Sequence, residues 1–527
     1  MAESKKVYIL DSTLRDGAQG YKVNFSTSDK LSIIHILDKV GIDYIEVGNP
    51  ASNPRDAAIF EILKDEKLKH AKLVAFGSTR RKNTNVYDDK NLKALLAAST
   101  PVCTVFGKAS LFQVKEVLGT TEEENLKMIE ESCRFIKVHG RELIFDAEHF
   151  FDGFKENKEY ALKCLKAAEK GGADLVCLCD TNGGTFPNEA SEIYKAAKSQ
   201  LKIPVGVHFH NDCGMAVASS VAAAEMGARH IQGTFLGIGE RSGNANLINV
   251  ICNLQIKQGF ECIPQDKIKD LTLSAREMAS INNADLPYDM PYVGKAAFTH
   301  KAGMHAAAVL RNPHSFEHID PYLVGNERRF PASEISGKAV VFERIKKIVP
   351  SLSPEGKEAE EILERIKEME SKGYQFEGAD ASFELLVRKK LGLFKSYFKL
   401  IYYRIYTGVG TPEDYNASAT VKVQVGDELK LMASEGNGPV NALDTAMRKA
   451  LEEFYPALKN VKLTDYKVRV LDGADAATGA LVRVLITSTY NKRRYTTVGV
   501  SRDVVDASWK ALEDSLEFLL MKLEEVK

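Results

Sequence analysis

The stretch Ile203-Pro204-Val205-Gly206-Val207-His208-Phe209-His210-Asn211-Asp212 is a short apolar run that ends in polar side chains. Its β-branched residues predict a strand, and because alternate side chains of a strand share a face, His208 and His210 project in the same direction. Two imidazoles on one face can bind one metal ion, although histidine pairs also occur as ordinary hydrogen-bonded groups. The pattern of an apolar strand followed by polar residues recurs along the chain and decides the fold.

Apolar, mostly β-branched runs recur in the first half of the chain at spacings of about thirty residues and alternate with amphipathic stretches that predict helices. Eight such units predict an α/β fold, a (β/α)₈ TIM barrel, with an open doubly wound sheet as the alternative. The eight runs are Val7 to Leu10, Tyr44 to Val47, Lys72 to Phe76, Val102 to Phe106, Glu142 to Phe145, Leu175 to Leu178, Val205 to Phe209 and His230 to Phe235.

Polar residues follow the carboxyl ends of these strands, which form the active face of such barrels. The first strand runs into Asp11-Ser12-Thr13-Leu14-Arg15-Asp16, and the histidines follow the seventh. A capped turn with a surface ion pair is the alternative reading of the first motif. The other polar sets are Glu46 with Asn49, Ser78 with Arg80, Lys108, Asp146 with Glu148, Asp180 with Thr181 and Asn182, and 237–244.

Composition indicates a globular protein without a nucleic-acid or membrane surface. The 71 Lys and Arg residues balance 72 Asp and Glu, a formal charge of −1, so no basic patch for nucleic acid or acidic lipid is expected. The start of the chain has no secretory signal pattern, and no run reaches membrane-spanning length, so a cytoplasmic location is expected. The eight cysteines are scattered, and we interpret them as reduced core residues.

The 527 residues predict three regions. We expect a catalytic barrel over residues 1–280, linker subdomains that cover the active site over residues 281–395, and a C-terminal α/β regulatory domain over residues 396–527. In the last region the turn Gly436-Asn437-Gly438-Pro439-Val440 opens a predicted helix, where backbone N–H groups can hold a carboxylate. A plain turn and helix start is an equally good reading.

One carboxylate and two imidazoles, from Asp16, His208 and His210, make a ligand set suited to Mg²⁺, Mn²⁺, Fe²⁺ or Zn²⁺. Such a metal can chelate a 2-oxo acid and polarise its carbonyl, and Arg15 beside it can stabilise an oxyanion. The loop 237–244 does not match the dinucleotide-binding fingerprint, so its residues Glu240 and Asn244 are predicted to orient or complete the metal shell instead.

Three motifs resemble the acyl-CoA-dependent condensing branch of the metal-dependent TIM-barrel synthases and lyases, which includes isopropylmalate, homocitrate and citramalate synthases. Within that family, the stretches 76–82, 146–153, 179–185 and 318–329 look like the citramalate synthase subgroup. The turn at Gly436 is similar to the effector loop of the family's C-terminal regulatory domain. The motifs are Asp11-x-Thr13-Leu14-Arg15-Asp16-Gly17-x-Gln19, His208-x-His210-Asn211-Asp212-x-Gly214-x-Ala216 and Gly237-x-Gly239-Glu240-Arg241-x-Gly243-Asn244.

The resemblance implies a divalent metal, Mn²⁺ or Mg²⁺ with Zn²⁺ as a further option, acetyl-CoA as co-substrate and pyruvate as 2-oxo acid. The products would be (R)-citramalate and CoA, on a threonine-independent route to isoleucine. It further implies a homodimer with an amino-acid effector, isoleucine first and leucine second, bound by Gly436, Gly438 and Pro439. The resemblance implies that the metal is ligated by Asp16, His208, His210 and Asn244. Arg15 would stabilise the oxyanion and Thr181 would bind the 2-oxo acid, with Asn49 and Arg80 also assigned to substrate. Glu148 and His305 would carry out proton transfer and thioester hydrolysis.

His305 lies beyond the barrel, so the resemblance implies that the post-barrel region covers an active site, that of a partner subunit. Departures from the subgroup at Asn49, Gln113 and Leu236 bear on the choice of 2-oxo acid, and Asn441 bears on feedback. The alternatives are an isopropylmalate or homocitrate synthase acting on a larger 2-oxo acid and, in a different class, a non-catalytic amino-acid sensor. A lyase is disfavoured because the eighth-strand loop has no reactive cysteine.

Overall fold

The computed structural model describes residues 5–52, 54–64, 66–282, 284–330, 338–353, 356–376, 378–408, 417–471, 479–491 and 493–525. Contacts divide the chain into two compact units. The first is Met1–Phe298 with Asp320–Glu327, and the second is Thr299–Ile319 with Arg328–Lys527. Among the described helices, none combines the length and the apolar character that crossing a membrane requires.

The first unit is a closed barrel of eight parallel strands in chain order, which confirms the predicted (β/α)₈ fold and excludes the open sheet. Closure is made by β1 and β8, which pair in parallel from Tyr8↔His230 to Asp11↔Gly233. The strands are β1 Tyr8–Asp11, β2 Tyr44–Gly48, β3 Lys72–Ser78, β4 Val102–Lys108, β5 Glu142–Glu148, β6 Leu175–Asp180, β7 Val205–Phe209 and β8 His230–Gly233.

In the described part of the first unit, ten helices follow and surround these strands. They are α1 Thr27–Val40, α2 Pro54–Leu63, α3 Lys90–Ala97, α4 Glu122–Val138, α5 Phe150–Glu156, α6 Lys158–Lys170, α7 Pro187–Lys198, α8 Ala216–Glu225, α9 Leu247–Ile251 and α10 Leu271–Ile281.

Local sequence signals set the limits of these helices. The hydroxyl of Ser26 accepts the backbone N–H of Asp29, and the Asp29 carboxylate accepts the N–H of Ser26, a capping box that starts α1. The same helix ends at Gly41, whose φ of 91° is a left-handed conformation that glycine adopts without strain. These two signals determine where α1 begins and ends in the segment between β1 and β2.

Apolar side chains from several barrel strands pack together. Leu10, Val74, Val102 and Ile144 form a buried cluster with two cysteines of β6. Seven of the eight cysteines are buried, as predicted for core residues, whereas Cys213 is exposed and is not a core residue.

The described residues of the second unit form four helices and two three-stranded antiparallel sheets, each covered by one further helix. The orders are β11-β10-β9 and β12-β13-β14. The helices are α11 Gly303–Arg311, α12 Lys338–Ile348, α13 Lys357–Ser371, α14 Asp380–Lys390, α15 Pro439–Leu451 and α16 Val504–Glu524, and the strands are β9 Lys399–Thr407, β10 Ala417–Val425, β11 Glu428–Gly436, β12 Lys462–Val470, β13 Val482–Tyr490 and β14 Arg493–Ser501.

The sequence pattern predicts four strands in this region, arranged as two strand-strand-helix units: Ala419 to Val425, Lys467 to Val470, Leu481 to Thr489 and Thr496 to Val500. They correspond to β10, β12, β13 and β14, whereas each described sheet has three strands. The strands β9 and β11 were missed because they flank β10 with mostly exposed side chains and little apolar alternation. The signal for β11 is the pair Gly426-Asp427 between the paired residues Val425 and Glu428, since such dipeptides join hairpin strands. The helix predicted from Val440 to Phe454 is present as α15, Pro439–Leu451, with Gly438 as its N-cap.

Helix α16 carries a carboxyl group whose titration makes stability depend on pH. Burial raises the pKa of Glu513 from 4.5 to about 7, and the neighbouring carboxylates of Asp514 and Glu517 add to the shift. A raised pKa favours the protonated form in the folded state. Its stabilising contribution is therefore complete below pH 4.5 and is lost as the pH rises through about 7.

We therefore expect the melting temperature of Glu513→Gln to fall less than that of the wild type between about pH 5 and pH 8. Thermal unfolding followed by circular dichroism at several pH values measures this difference. The exposed Glu358→Gln is the matched control, with a wild-type profile. Parallel curves for Glu513→Gln and the wild type would contradict the prediction.

Candidate active site

The carboxyl ends of β1, β7 and β8 bring Asp16, His208, His210 and Asn244 together. The Nε2 atoms of His208 and His210 lie 3.8 and 3.7 Å from Asp16 Oδ2, and all three side chains are buried. Asn244 Nδ2 donates to Asp16 Oδ1 over 2.9 Å. The ligand atoms of the aspartate and the two histidines all lie within 4.8 Å of one another, so they can reach one cation.

The protonation states suit a divalent cation. Burial lowers the pKa of His208 to about 3, so its imidazole is neutral at physiological pH, the form that ligates metals. Although burial opposes the change, Arg15, His208, His210 and the Asn244 hydrogen bond hold the pKa of Asp16 well below its usual range. The buried Oδ1 of Asn244 accepts no hydrogen bond from the described residues, which leaves a further oxygen donor at the same place.

Arg15 is held rigidly beside this cluster. Its Nε donates to Glu46 Oε2 over 2.6 Å and its Nη1 to Asp16 Oδ2 over 2.8 Å. The guanidinium carbon also lies 3.9 Å from the centroid of the Phe76 ring, a cation–π contact. Burial raises the pKa of Glu46 despite its pairing with Arg15. The fixed guanidinium can stabilise negative charge that develops on a substrate oxygen without having to reorganise.

A cavity of about 590 Å³ opens beside Arg15. Asn49, which follows β2, lines this cavity together with Phe76 and Lys30. The carboxylate of Asp56 joins the wall by pairing with Lys30 Nζ over 2.7 Å and accepting the backbone N–H of Asn49 over 3.3 Å. The turn after β2 is thus tied to α1.

Two further predicted residues lie at neighbouring strand ends on the same face. Glu148 ends β5, and its Oε2 lies 2.6 Å from the Nζ atom of Lys108, which ends β4. The hydroxyl of Thr181, one residue beyond β6, accepts the backbone N–H of His149 over 2.8 Å. Glu148 is therefore an ion-paired carboxylate at the rim of the barrel face.

Arg80 points to other partners. Its guanidinium is buried and donates to Glu124 and Glu131 of α4, each over 2.7 Å. These contacts hold the end of β3 against a surrounding helix. They give Arg80 a structural role, while its predicted contact with substrate stays a prediction.

Replacement Arg80→Met should lower the free energy of unfolding by about 2 kcal/mol, because two glutamates lose a charged hydrogen-bond donor. Urea unfolding measures this loss, and the exposed Arg493→Met is the control, expected to change stability by less than about 0.5 kcal/mol. If Arg80 also contacts substrate, as the sequence predicts, the KM for the 2-oxo acid at saturating metal rises as well. An unchanged KM together with lower stability would leave Arg80 with the structural role alone.

His305 belongs to the second unit, on α11, and its side chain is exposed. Its ring stacks on that of Phe316 with centroids 4.1 Å apart. The adjacent Glu317 is buried, accepts the Nε–H of Arg328 over 2.7 Å and lies 3.0 Å from His300 Nε2. This ion pair anchors the segment that carries the Phe316 ring.

A second group of potential ligands consists of Asp146, Cys177 and Cys179 inside the barrel. Burial raises the pKa of the Cys177 thiol well above its ordinary value. Both thiols are buried inside the barrel, as predicted for core cysteines.

Sequence reasoning missed one residue that contacts the site, Gln232 in β8. Its side chain is buried, and its Oε1 lies 3.1 Å from His208 Nδ1. The available signal was the alternation of polar His230 and Gln232 with apolar Ile231 in a buried strand.

Three family models match consecutive parts of the chain. The model described as HMGL-like matches residues 6–278, the homocitrate synthase post-HMGL domain-like model matches residues 292–374, and the LeuA allosteric (dimerisation) domain matches residues 377–520. The (R)-citramalate synthase of Aquifex aeolicus is 51% identical over 524 residues, 99% of each chain. That of Geobacter sulfurreducens is 47% identical over 522 residues, again 99% of each chain.

A synthase named for a different product is less similar to this chain. The 2-isopropylmalate synthase of Methanocaldococcus jannaschii is 29% identical over 522 residues, 98% of this chain and 96% of the relative. Five (R)-citramalate synthases are 41–51% identical to this chain over nearly its whole length.

Proposed function

Because the chain belongs to the (R)-citramalate synthase family of HMGL-like condensing enzymes, we propose that it joins acetyl-CoA to pyruvate and releases (R)-citramalate and CoA. The observation that carries the proposal is the contact of Asp16 with two buried imidazoles and with Arg15, in a chain 51% identical to one such synthase.

The divalent cation would be held by Asp16, His208, His210 and Asn244. It is Mn²⁺ or Mg²⁺, with Zn²⁺ as a further option, since oxygen and imidazole ligands bind all three. The cation, when bound, supplies Lewis-acid polarisation of the 2-oxo acid carbonyl. Thr181 and Asn49 are proposed to bind and orient the 2-oxo acid. Arg15 presents a preorganised positive charge to the oxygen on which negative charge develops.

Glu148 and His305 are proposed to divide the proton transfers. One base takes a proton from the acetyl methyl group, and the carbon so activated attacks the ketone carbon of pyruvate. The new alkoxide oxygen takes up a proton, and water then attacks the thioester carbonyl and expels CoA as its thiol. Lys108, paired with Glu148, holds that carboxylate at the rim of the barrel face.

His305 would act within a homodimer, and the match to an allosteric (dimerisation) domain supports such an assembly. We propose isoleucine as the effector, and leucine as the next candidate. A cytoplasmic location stays a prediction from the sequence.

The experiment that tests the function follows CoA release with a thiol reagent, from acetyl-CoA and Mn²⁺ or Mg²⁺ with pyruvate, 2-oxoisovalerate or 2-oxoglutarate. Cys213 is an exposed thiol, so the signal from enzyme alone has to be subtracted. We expect release with pyruvate, and (R)-citramalate as product by chiral chromatography. Preference for a larger 2-oxo acid would favour an isopropylmalate or homocitrate synthase, and release with none would favour an amino-acid sensor.

The glycines of the proposed effector loop allow a matched pair of variants. A Cβ atom at Gly438 would meet nothing within 4 Å, whereas one at Gly436 would lie 2.5 Å from the backbone nitrogen of Ala442. Gly438→Ala should therefore lose no more than about 1 kcal/mol of stability, the cost of an alanine N-cap, and weaken inhibition by isoleucine in the CoA-release assay. Gly436→Ala should lower stability, and unchanged inhibition in Gly438→Ala would contradict the assigned effector contact.

A further inference from the structure

Gln232 is a fully buried amide inside the barrel, at the same level as His208. Strands β7 and β8 pair in register at His208↔Gln232, so both side chains point to the barrel interior. Gln232 Oε1 lies 3.1 Å from His208 Nδ1, and Gln232 Nε2 donates to Asp146 Oδ1 over 2.9 Å. The amide therefore connects β8 both to its neighbour β7 and to β5, three strands away.

The carboxyl group of Asp146 determines which atoms donate and which accept in the series of hydrogen bonds from Asp146 through Gln232 to His208. Burial raises the pKa of Asp146 to about 7, and above that pH its carboxylate oxygens can only accept, so Asp146 Oδ1 orients the Gln232 NH₂ group toward itself. The Oε1 atom, which can only accept, is then directed at His208 Nδ1. A neutral imidazole carries one N–H, and placing it on Nδ1 leaves Nε2 with a lone pair.

The opposite tautomer would compete with metal binding. If the proton were on Nε2, it would face Asp16 Oδ2, which lies 3.8 Å away, and both groups would be unavailable to a cation. Nδ1 would then oppose the Oε1 atom of Gln232, two acceptors without a proton between them. The amide thus stabilises the tautomer that can ligate.

From these contacts we propose that Gln232, anchored by Asp146, is a positioning residue that sets the His208 tautomer and thereby the metal affinity of the site. The proposal rests on the proposed function in so far as His208 is taken to be a metal ligand. Outer partners of metal-bound histidines typically contribute about 10- to 100-fold in affinity.

The test uses the metal-free full-length protein and measures free Mn²⁺ by electron paramagnetic resonance during titration. Gln232→Leu, which cannot accept the Nδ1 proton, should bind Mn²⁺ about 10- to 100-fold more weakly than the wild type. In Gln232→Glu the two buried carboxyl groups in contact share one proton, which keeps a donor to Asp146 and an acceptor for Nδ1, so this variant should recover most of that loss. The matched control is Gln255→Leu, which removes a glutamine that hydrogen-bonds to the backbone of Cys262 and Ile263 away from the site.

Equal Mn²⁺ affinity in Gln232→Leu and the wild type would overturn the proposal, and so would a loss in Gln232→Glu as large as that in Gln232→Leu. A second measurement requires no variant. The ¹⁵N shifts of His208 in the metal-free wild type should show a protonated Nδ1 and an unprotonated Nε2, and the reverse assignment would overturn the proposal even if Gln232→Leu failed to fold.

These readouts separate the proposal from the proposed function. Metal titration and the ¹⁵N shifts require no substrate, so they can fail while CoA release with pyruvate succeeds. Conversely, a protein that releases no CoA with any 2-oxo acid can still show the expected Mn²⁺ affinities.

Discussion

His208→Ala should abolish CoA release and weaken Mn²⁺ binding by more than about 100-fold, because it removes one of the imidazoles that face Asp16. The Lewis acid stabilises developing charge by several kcal/mol, so its loss corresponds to a fall in kcat of at least about 1,000-fold. Burial keeps His208 neutral, and the alanine variant therefore changes the ligand count without changing the charge of the site.

Metal titration of the metal-free protein and the CoA-release assay with pyruvate measure the two losses together. The control is His35→Ala, whose exposed ring lies 3.9 Å from Glu66 and should leave both quantities unchanged. Circular dichroism shows whether the variant is folded. A folded His208→Ala protein that binds Mn²⁺ with wild-type affinity would exclude His208 as a ligand.

The parts of this site that could be predicted from sequence are those carried by a single strand end. His208 and His210 follow from the two-residue period of a strand, and Arg15 and Asp16 follow from their place directly after β1. The closed barrel then brings both strand ends together. The prediction that they converge depended on recognising eight repeats, not on the chemistry of any one of them.

What could not be predicted depends on side-chain direction across the fold. Arg80 also follows a strand end, yet its guanidinium turns to two glutamates of α4. Gln232 reaches an aspartate on a strand three places away, and no sequence spacing encodes such a pair. Strands β9 and β11 were missed for a related reason, since flanking strands with mostly exposed side chains have weak apolar alternation.

Arg15→Lys tests whether the fork geometry of the guanidinium, and not its charge alone, is needed. Arg15 contacts Glu46, Asp16 and the Phe76 ring at the same time. A lysine ammonium is a point charge that cannot reproduce these contacts and still face a substrate oxygen. We expect kcat to fall by about 100- to 1,000-fold, the usual effect of losing one preorganised oxyanion donor.

The metal readout separates this effect from damage to the ligand cluster. In Arg15→Lys a positively charged side chain remains next to Asp16. The Mn²⁺ affinity should therefore stay within about tenfold of the wild type while kcat falls. Arg229→Lys is the matched control, because that arginine also lies over an aromatic ring, Phe260, but sits just before β8 at the opposite end of the barrel. If Arg15→Lys retained more than about a tenth of the wild-type kcat, any cation would suffice and the oxyanion role of the guanidinium fork would be excluded.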